Sequence, residues 1–140
     1  LVAISIEAAD LAIDHAERLS KINLTDPDTT ELRAWIRSLD DFMRRYSGSI
    51  GAWNEQTTDN DIVGQLGVCG QAAMDAAMVA DLVATRRDYP FDPVVAAIIF
   101  RSLVARIPQA AREQSPPLSE DETADLLIAC IRRGFFSHLA

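Results

Sequence analysis

The chain has 140 residues, 49% of them hydrophobic and 24% charged, with six glycines and six prolines. That is the composition of one folded domain with a sizeable core, and it argues against a disordered or repetitive chain. A net charge of −8 repels phosphate backbones, so this segment is not expected to bind nucleic acid by itself.

A first helix is expected from about Ile4 to about Lys21. Ile4, Ala8, Leu11, His15, Leu19 and Ile22 form one apolar face, and Val2, Ile6, Ala9, Ile13 and Ala16 form another. A helix apolar on two sides is expected to be central. Thr25-Asp26-Pro27-Asp28 interrupts the pattern, and Asp28 with Glu31 has the spacing of a capping box. Asp26 before Pro27 is a rival start.

The next segment is strongly amphipathic. Leu32, Trp35, Ile36, Leu39, Phe42, Met43 and Tyr46 recur at three- and four-residue steps, and charged side chains fill most other positions. Ser47-Gly48-Ser49 is expected to bend the chain before a short helix, from Ile50 to about Gln56, that carries Trp53. The acidic run Thr57 to Asp61 supplies caps for a long helix reaching about Arg87. Its expected inner face is Ile62, Leu66, Cys69, Ala73, Ala76, Ala80 and Val83. Gly64, Gly67 and Gly70 would each weaken this helix by about 1 kcal/mol relative to alanine. They open space for a ligand, allow close helix contact, or mark a later helix start.

Asp92-Pro93 predicts a helix opening, and the amphipathic pattern continues through Leu103, Val104 and Ile107 until Pro108 kinks or ends it. Ser115-Pro116-Pro117 is a loop, and Ser119 with Glu122 forms a second capping box before a last helix. The runs Val94–Phe100 and Leu126–Ile131 are apolar around the whole helix. One side can meet the domain's own core; the other calls for a second copy of the chain. The interface candidates are Val95, Ile99, Leu103, Leu127, Ile128, Ile131 and Phe135. The expected fold is an all-α antiparallel bundle of five to six helices in a single domain, dimerising through its last two helices.

Cys69 and Cys130 are expected to be buried free thiols. The unbroken apolar runs are too short to span a bilayer, and the N-terminus lacks the pattern of a cleaved leader, so a cytoplasmic protein without membrane association is expected. Leu1 is not an initiator methionine, so a longer parent chain is expected.

The segments LRAWIRSLDDFMRRYSGSIGAW at 32–53, the long helix at 61–87, DPVVAAIIFRSLVARIPQAA at 92–111 and SEDETADLLIACIRRGFF at 119–136 together resemble the C-terminal regulatory domain of TetR-family transcriptional repressors. The resemblance covers nearly the whole chain and rests on the pattern of elements. The family's N-terminal helix-turn-helix is not in this sequence, and the helix from Ile4 to Lys21 would match its linking helix. The resemblance implies a homodimer whose small, largely apolar effector enters between the linking and middle helices. The effector would shift the dimer away from its DNA-binding conformation. DNA would be met only through the N-terminal part not present here.

The candidate effector contacts are His15, Trp35, Phe42, Trp53, Cys69, Met74, Met78 and Phe100. Each has a plainer reading as core packing, which is the commoner role for Trp35, Phe42, Met74 and Met78. No cofactor, metal site or enzyme activity is expected. His15 and His138 lie at opposite ends, and no Glu-x-x-His pair, zinc spacing or Gly-x-Ser-x-Gly elbow is present. The rival reading is a helical protein-interaction module without a small-molecule ligand.

Overall fold

The computed structural model describes residues 2–54, 62–85 and 92–136, with side chains left aside at 52–54, 63 and 85. Six helices follow in order: α1 (Val2–Leu19), α2 (Thr30–Arg45), α3 (Ser47–Asn54), α4 (Ile62–Thr85), α5 (Pro93–Arg112) and α6 (Glu120–Phe135). No strand occurs among the described residues, so the all-α expectation stands.

Helix α2 buries the face its periodicity predicts: Leu32, Trp35, Ile36, Leu39 and Phe42 are all in the core. Its start differs from expectation. The Asp28 carboxylate accepts from the backbone N–H and hydroxyl of Thr30, so it forms a local turn, and Thr29 occupies the cap position. Those two bonds hold the Asp28 carboxyl below its usual range. The predicted Asp28–Glu31 capping box therefore does not form.

The bend also differs. It is confined to Tyr46, with φ −106° and ψ 20°, and α3 starts at Ser47. The Tyr46 N–H still reaches the Phe42 carbonyl and its own carbonyl takes the Ile50 N–H, so the break spans one residue. The Tyr46 hydroxyl donates to Glu7 of α1, and this bond raises its pKa.

Helices α1 and α4 pack through small residues. In α1 the buried positions are Ser5, Ala8, Ala9, Ala12, His15, Ala16 and Leu19, while Val2, Ile4 and Ile6 are about half exposed. In α4 the buried positions are Gly64, Gly67, Gly70, Met74, Ala77, Met78 and Leu82. Of the expected inner face of α4, Leu66 and Ala73 pack partly against the core, but Ile62, Cys69, Ala76, Ala80 and Val83 are exposed. The physical reason is backbone distance. A methyl built on Gly70 would lie 3.0 Å from the Ala12 Cβ, so only small side chains fit between these helices. Gly70 therefore serves close contact.

Asp92 caps α5 by accepting from the Val94 N–H at 2.9 Å, with Pro93 in the first turn, as predicted. Pro108 does not end the helix, which continues to Arg112. Pro108 forfeits one backbone bond, but it is buried with Val104 and Ala111, and this packing on both flanking turns carries the helix through. Ser119 and Glu122 form the expected capping box at α6, at 3.2 and 2.8 Å, and these bonds lower the Glu122 pKa.

The centre of the core is aromatic. Trp35 stacks on Phe100 at 6.3 Å, and Phe100 meets the edge of Phe135 at 6.1 Å. Ion pairs fasten the outside: Arg33–Asp125 and Arg37–Asp121 join α2 to α6, and Arg112–Asp40 joins α5 to α2.

The apolar surplus is on the surface of α5. Val94, Val95, Ile98 and Ile99 are 55%, 50%, 42% and 50% exposed. On α6 the expectation needs correcting. Leu127, Ile128, Ile131 and Phe135 are buried within the chain, and Leu126 is its exposed large apolar residue. Leu103 is half-buried against the core. By length and composition, Gly64–Ala84 and Pro93–Arg112 are apolar enough to cross a membrane, although the unbroken runs are short; a third of each, 33%, is buried. Core helices of a folded domain pass the same test.

Candidate functional site

Five helices leave a cavity of about 280 Å³ between them. Helix α2 supplies Leu39, Phe42 and Met43, α3 supplies Ile50, and α4 supplies Met74. Ala12 and Gly70 line it at the α1–α4 contact. Along α5 the lining alternates: Val104 and Ala105 are apolar, and Arg101, Ser102 and Arg106 are polar. Gln71 completes the polar side. Among the described residues no aspartate or glutamate lines it.

The two guanidinium groups differ in their surroundings. Arg101 donates from Nε to Asp75 Oδ1 at 2.9 Å, and both partners are largely shielded from water. Arg106 is exposed and donates to the neutral side-chain oxygen of Gln109 at 3.1 Å; Gln109 in turn donates to Glu113. The Ser102 hydroxyl donates to the Ile98 carbonyl within its own helix.

The structure sorts the predicted contacts into two groups. Phe42 and Met74 line the cavity. Trp35, Met78 and Phe100 are fully buried in the core and do not line it. Trp35 is fixed by its indole N–H, which donates to the His15 carbonyl at 2.9 Å. Cys69 is on the surface and Cys130 half-buried, both as free thiols, so the burial expected of Cys69 is not found. It follows the shift in the inner face of α4. The Trp53 side chain lies outside the described residues.

His15 is buried and both ring nitrogens have partners. Nδ1 meets the Leu11 carbonyl at 2.8 Å and Nε2 meets the Ser38 hydroxyl at 3.1 Å. A carbonyl can only accept, so Nδ1 carries a proton and donates to Leu11, while Nε2 bonds the Ser38 hydroxyl. Arg18 donates to the same Ser38 oxygen at 3.1 Å. The His15 ring also lies 5.2 Å from that of Phe42. Its polar atoms are engaged inside the fold, which makes it a structural joint between α1 and α2.

The sequence reading missed Arg101, Ser102 and Arg106. The signal was their interruption of an otherwise apolar helix face. A smaller cleft of about 150 Å³ between α2, α5 and the start of α6 is lined by Arg37, Asp40, Asp41, Arg44 and Arg112, whose charges are mutually paired or bonded to α6. Among the described residues no group of three or more histidine, cysteine, aspartate or glutamate side chains is gathered to hold a metal ion. No family model, curated protein or solved structure matches this chain.

Proposed function

We propose that this chain is the effector-sensing and dimerising domain of a TetR-type transcriptional repressor, cytoplasmic and without enzyme activity. The observation that carries the reading is the cavity, walled on its apolar side by Leu39, Phe42, Met43, Ile50 and Met74. It has the concave, mostly apolar form that suits a small molecule, and its volume of about 280 Å³ lies at the small end of ligand sites. Its position among α1 and the middle helices agrees with the element order on which the family resemblance rests. In that reading α1 connects the sensor to a DNA reader. An effector acts by binding better to the released conformation than to the DNA-bound one, a coupling of about 1–3 kcal/mol in typical cases. Readers that must sit about 34–36 Å apart are sensitive to small movements of such a helix.

The exposed apolar face of α5 supports the dimer. Val94, Val95, Ile98 and Ile99 form a contiguous hydrophobic patch that a second copy would cover. The proposed contact therefore centres on α5; on α6 the exposed large apolar residue is Leu126. The cytoplasmic placement draws on the Asp75–Arg101 ion pair, which joins the two most apolar helices through charges that a bilayer would disfavour.

Light scattering after size-exclusion chromatography tests the dimer. Wild type is expected to be dimeric at micromolar concentration. Ile99→Glu is expected to be monomeric with an unchanged helical circular-dichroism spectrum, because a carboxylate buried in the contact has no partner. A wild-type monomer, or an Ile99→Glu variant that stays dimeric, overturns the α5 contact and favours a protein-interaction module. Octan-1-ol, a neutral apolar probe, tests the cavity. Saturable binding that Met74→Trp abolishes is expected, and an absence of binding removes the sensor reading.

A further inference from the structure

We infer that the cavity selects a small amphipathic anion, a monocarboxylate with a short apolar body, whose carboxylate sits at Arg106; the inference rests on the sensor reading of the same cavity. Three observations lead there.

The first is charge. The chain carries a net charge of −8, yet among the described residues the cavity's charged lining consists of two arginines and no acid. Arg101 is neutralised by Asp75. Arg106 donates to the neutral Gln109 amide and forms no ion pair among the described residues. The nearest acid on its own helix end, Glu113, is engaged by Gln109. A guanidinium presents five donors in a fork that matches a carboxylate, so Arg106 is a carboxylate receptor with its charge uncommitted.

The second is the mixed chemistry of the lining. Arg101, Ser102 and Arg106 of α5 and Gln71 of α4 are polar, whereas Leu39, Phe42, Met43, Ile50 and Met74 of α2, α3 and α4, together with Val104 and Ala105 of α5, are apolar. A ligand that fills this space needs a polar group as well as an apolar body. A uniformly apolar molecule would desolvate the arginine side without replacing its hydrogen bonds.

The third is size. About 280 Å³ falls just below the roughly 300 Å³ at which pockets for drug-sized ligands begin, so the occupant is a small molecule, and octanoate is a probe of that order.

Three probes of one chain length, octanoate, octan-1-ol and octylamine, separate the possibilities by isothermal titration at neutral pH. Octanoate is expected to bind wild type at least tenfold more tightly than octan-1-ol, and octylamine more weakly than either. In Arg106→Gln, which keeps hydrogen bonding but not charge, the preference for octanoate over octan-1-ol is expected to fall to within about twofold. Arg106→Lys is expected to keep part of the preference, and added salt to shrink it in wild type. Arg106 is a surface residue, so these variants are expected to fold; circular dichroism checks this. If octan-1-ol binds and octanoate binds no more tightly, the anion inference falls while the cavity reading stands. If the preference survives Arg106→Gln, Arg106 is not the receptor. If no probe binds, both readings fall.

Discussion

Gly70→Ala tests the close contact between α1 and α4. Two effects oppose each other. Alanine is favoured over glycine in a helix interior by about 1 kcal/mol. Against that, the new methyl would sit 3.0 Å from the Ala12 Cβ, whereas carbon atoms in contact prefer about 3.5–4.0 Å. Neither partner is the flexible end of a long side chain, so relief requires the helices to separate by about 0.5 Å or more. Separation is opposed along the length of α1, where Ser5, Ala8, Ala9, Ala12 and Ala16 are all buried. Overpacking of this kind costs about 1–3 kcal/mol. The clash therefore outweighs the propensity gain, and a net loss of about 1 kcal/mol is expected, which lowers Tm by roughly 3–4 °C in a domain of this size.

The assay is urea unfolding followed by circular dichroism, run on Gly70→Ala, Ala12→Gly and the double variant. Ala12→Gly removes the opposing methyl, so the double variant is expected to be more stable than the sum of the single effects predicts, by about 1 kcal/mol. A Gly70→Ala protein more stable than wild type by the full propensity gain, with additive behaviour in the double variant, would refute the tight contact.

Trp35→Phe is expected to lose about 2–3 kcal/mol by the same assay, because it leaves a void beside Phe100 and removes the indole bond to the His15 carbonyl. Ser119→Ala removes one half of the α6 capping box and is expected to cost about 1 kcal/mol at neutral pH. The Ser119 backbone N–H, which the variant keeps, donates to the Glu122 carboxylate and is the main cause that holds its pKa below the usual 4.5; that separate contribution is present above 4.5 and is lost as pH falls through the lower folded value. Asp81 behaves oppositely: burial pushes its carboxyl from 3.8 to about 6. The folded state then holds a proton that the unfolded state has released, so stability is fully present below about pH 4 and declines as pH rises through about 6. The full shift corresponds to about 3 kcal/mol, which partial solvent contact reduces to roughly 1–2 kcal/mol. Asp81→Asn is therefore expected to unfold at higher urea than wild type above pH 7 and at the same urea near pH 4. An Asn variant that gains nothing above pH 7 would show that the carboxylate is not desolvated.

The helix content was legible because large apolar residues at helical steps have one packing solution. Leu32, Trp35, Ile36, Leu39 and Phe42 define α2 without ambiguity. The capping boxes show the limit of short motifs. Ser119 and Glu122 pair as their spacing suggests, whereas the Asp28 carboxylate is taken by the Thr30 N–H and hydroxyl. The inner face of α4 and the placement of Val2, Ile4 and Ile6 on α1 were misread for a different reason, whereas Ala8, Ala9, His15, Ala16 and Leu19 are buried as their faces predict. Hydrophobicity ranks Ile4 and Val83 above Ala8 and Gly67, so a periodicity argument turns the larger residues inward. At short interhelical distance the order reverses, because the backbone approach admits alanine and glycine and leaves isoleucine and valine outside. The same misreading hid the cavity's polar side. Arg101, Ser102 and Arg106 stand in a helix whose composition advertises apolar contact, and their meaning depends on α2, α3 and α4 lying opposite.

That geometry bears on how a sensor built this way would work. Ala12 and Gly70 both line the cavity, and they are also the pair whose added methyl the α1–α4 contact refuses. The cavity wall and the tightest point of the helix contact are therefore the same atoms. A ligand seated against Phe42 and Met74 presses on flexible side chains that can yield, but one that reaches Ala12 and Gly70 meets two backbones with no side-chain slack between them. Any displacement there must move α1 as a body. In the proposed reading α1 is the helix that carries the DNA reader, so an effector's leverage depends on its depth: a ligand long enough to touch Ala12 shifts α1, and a shorter homologue binds at Arg106 without doing so. The glycine at 70, unfavourable for its own helix, is what puts the cavity within reach of that lever.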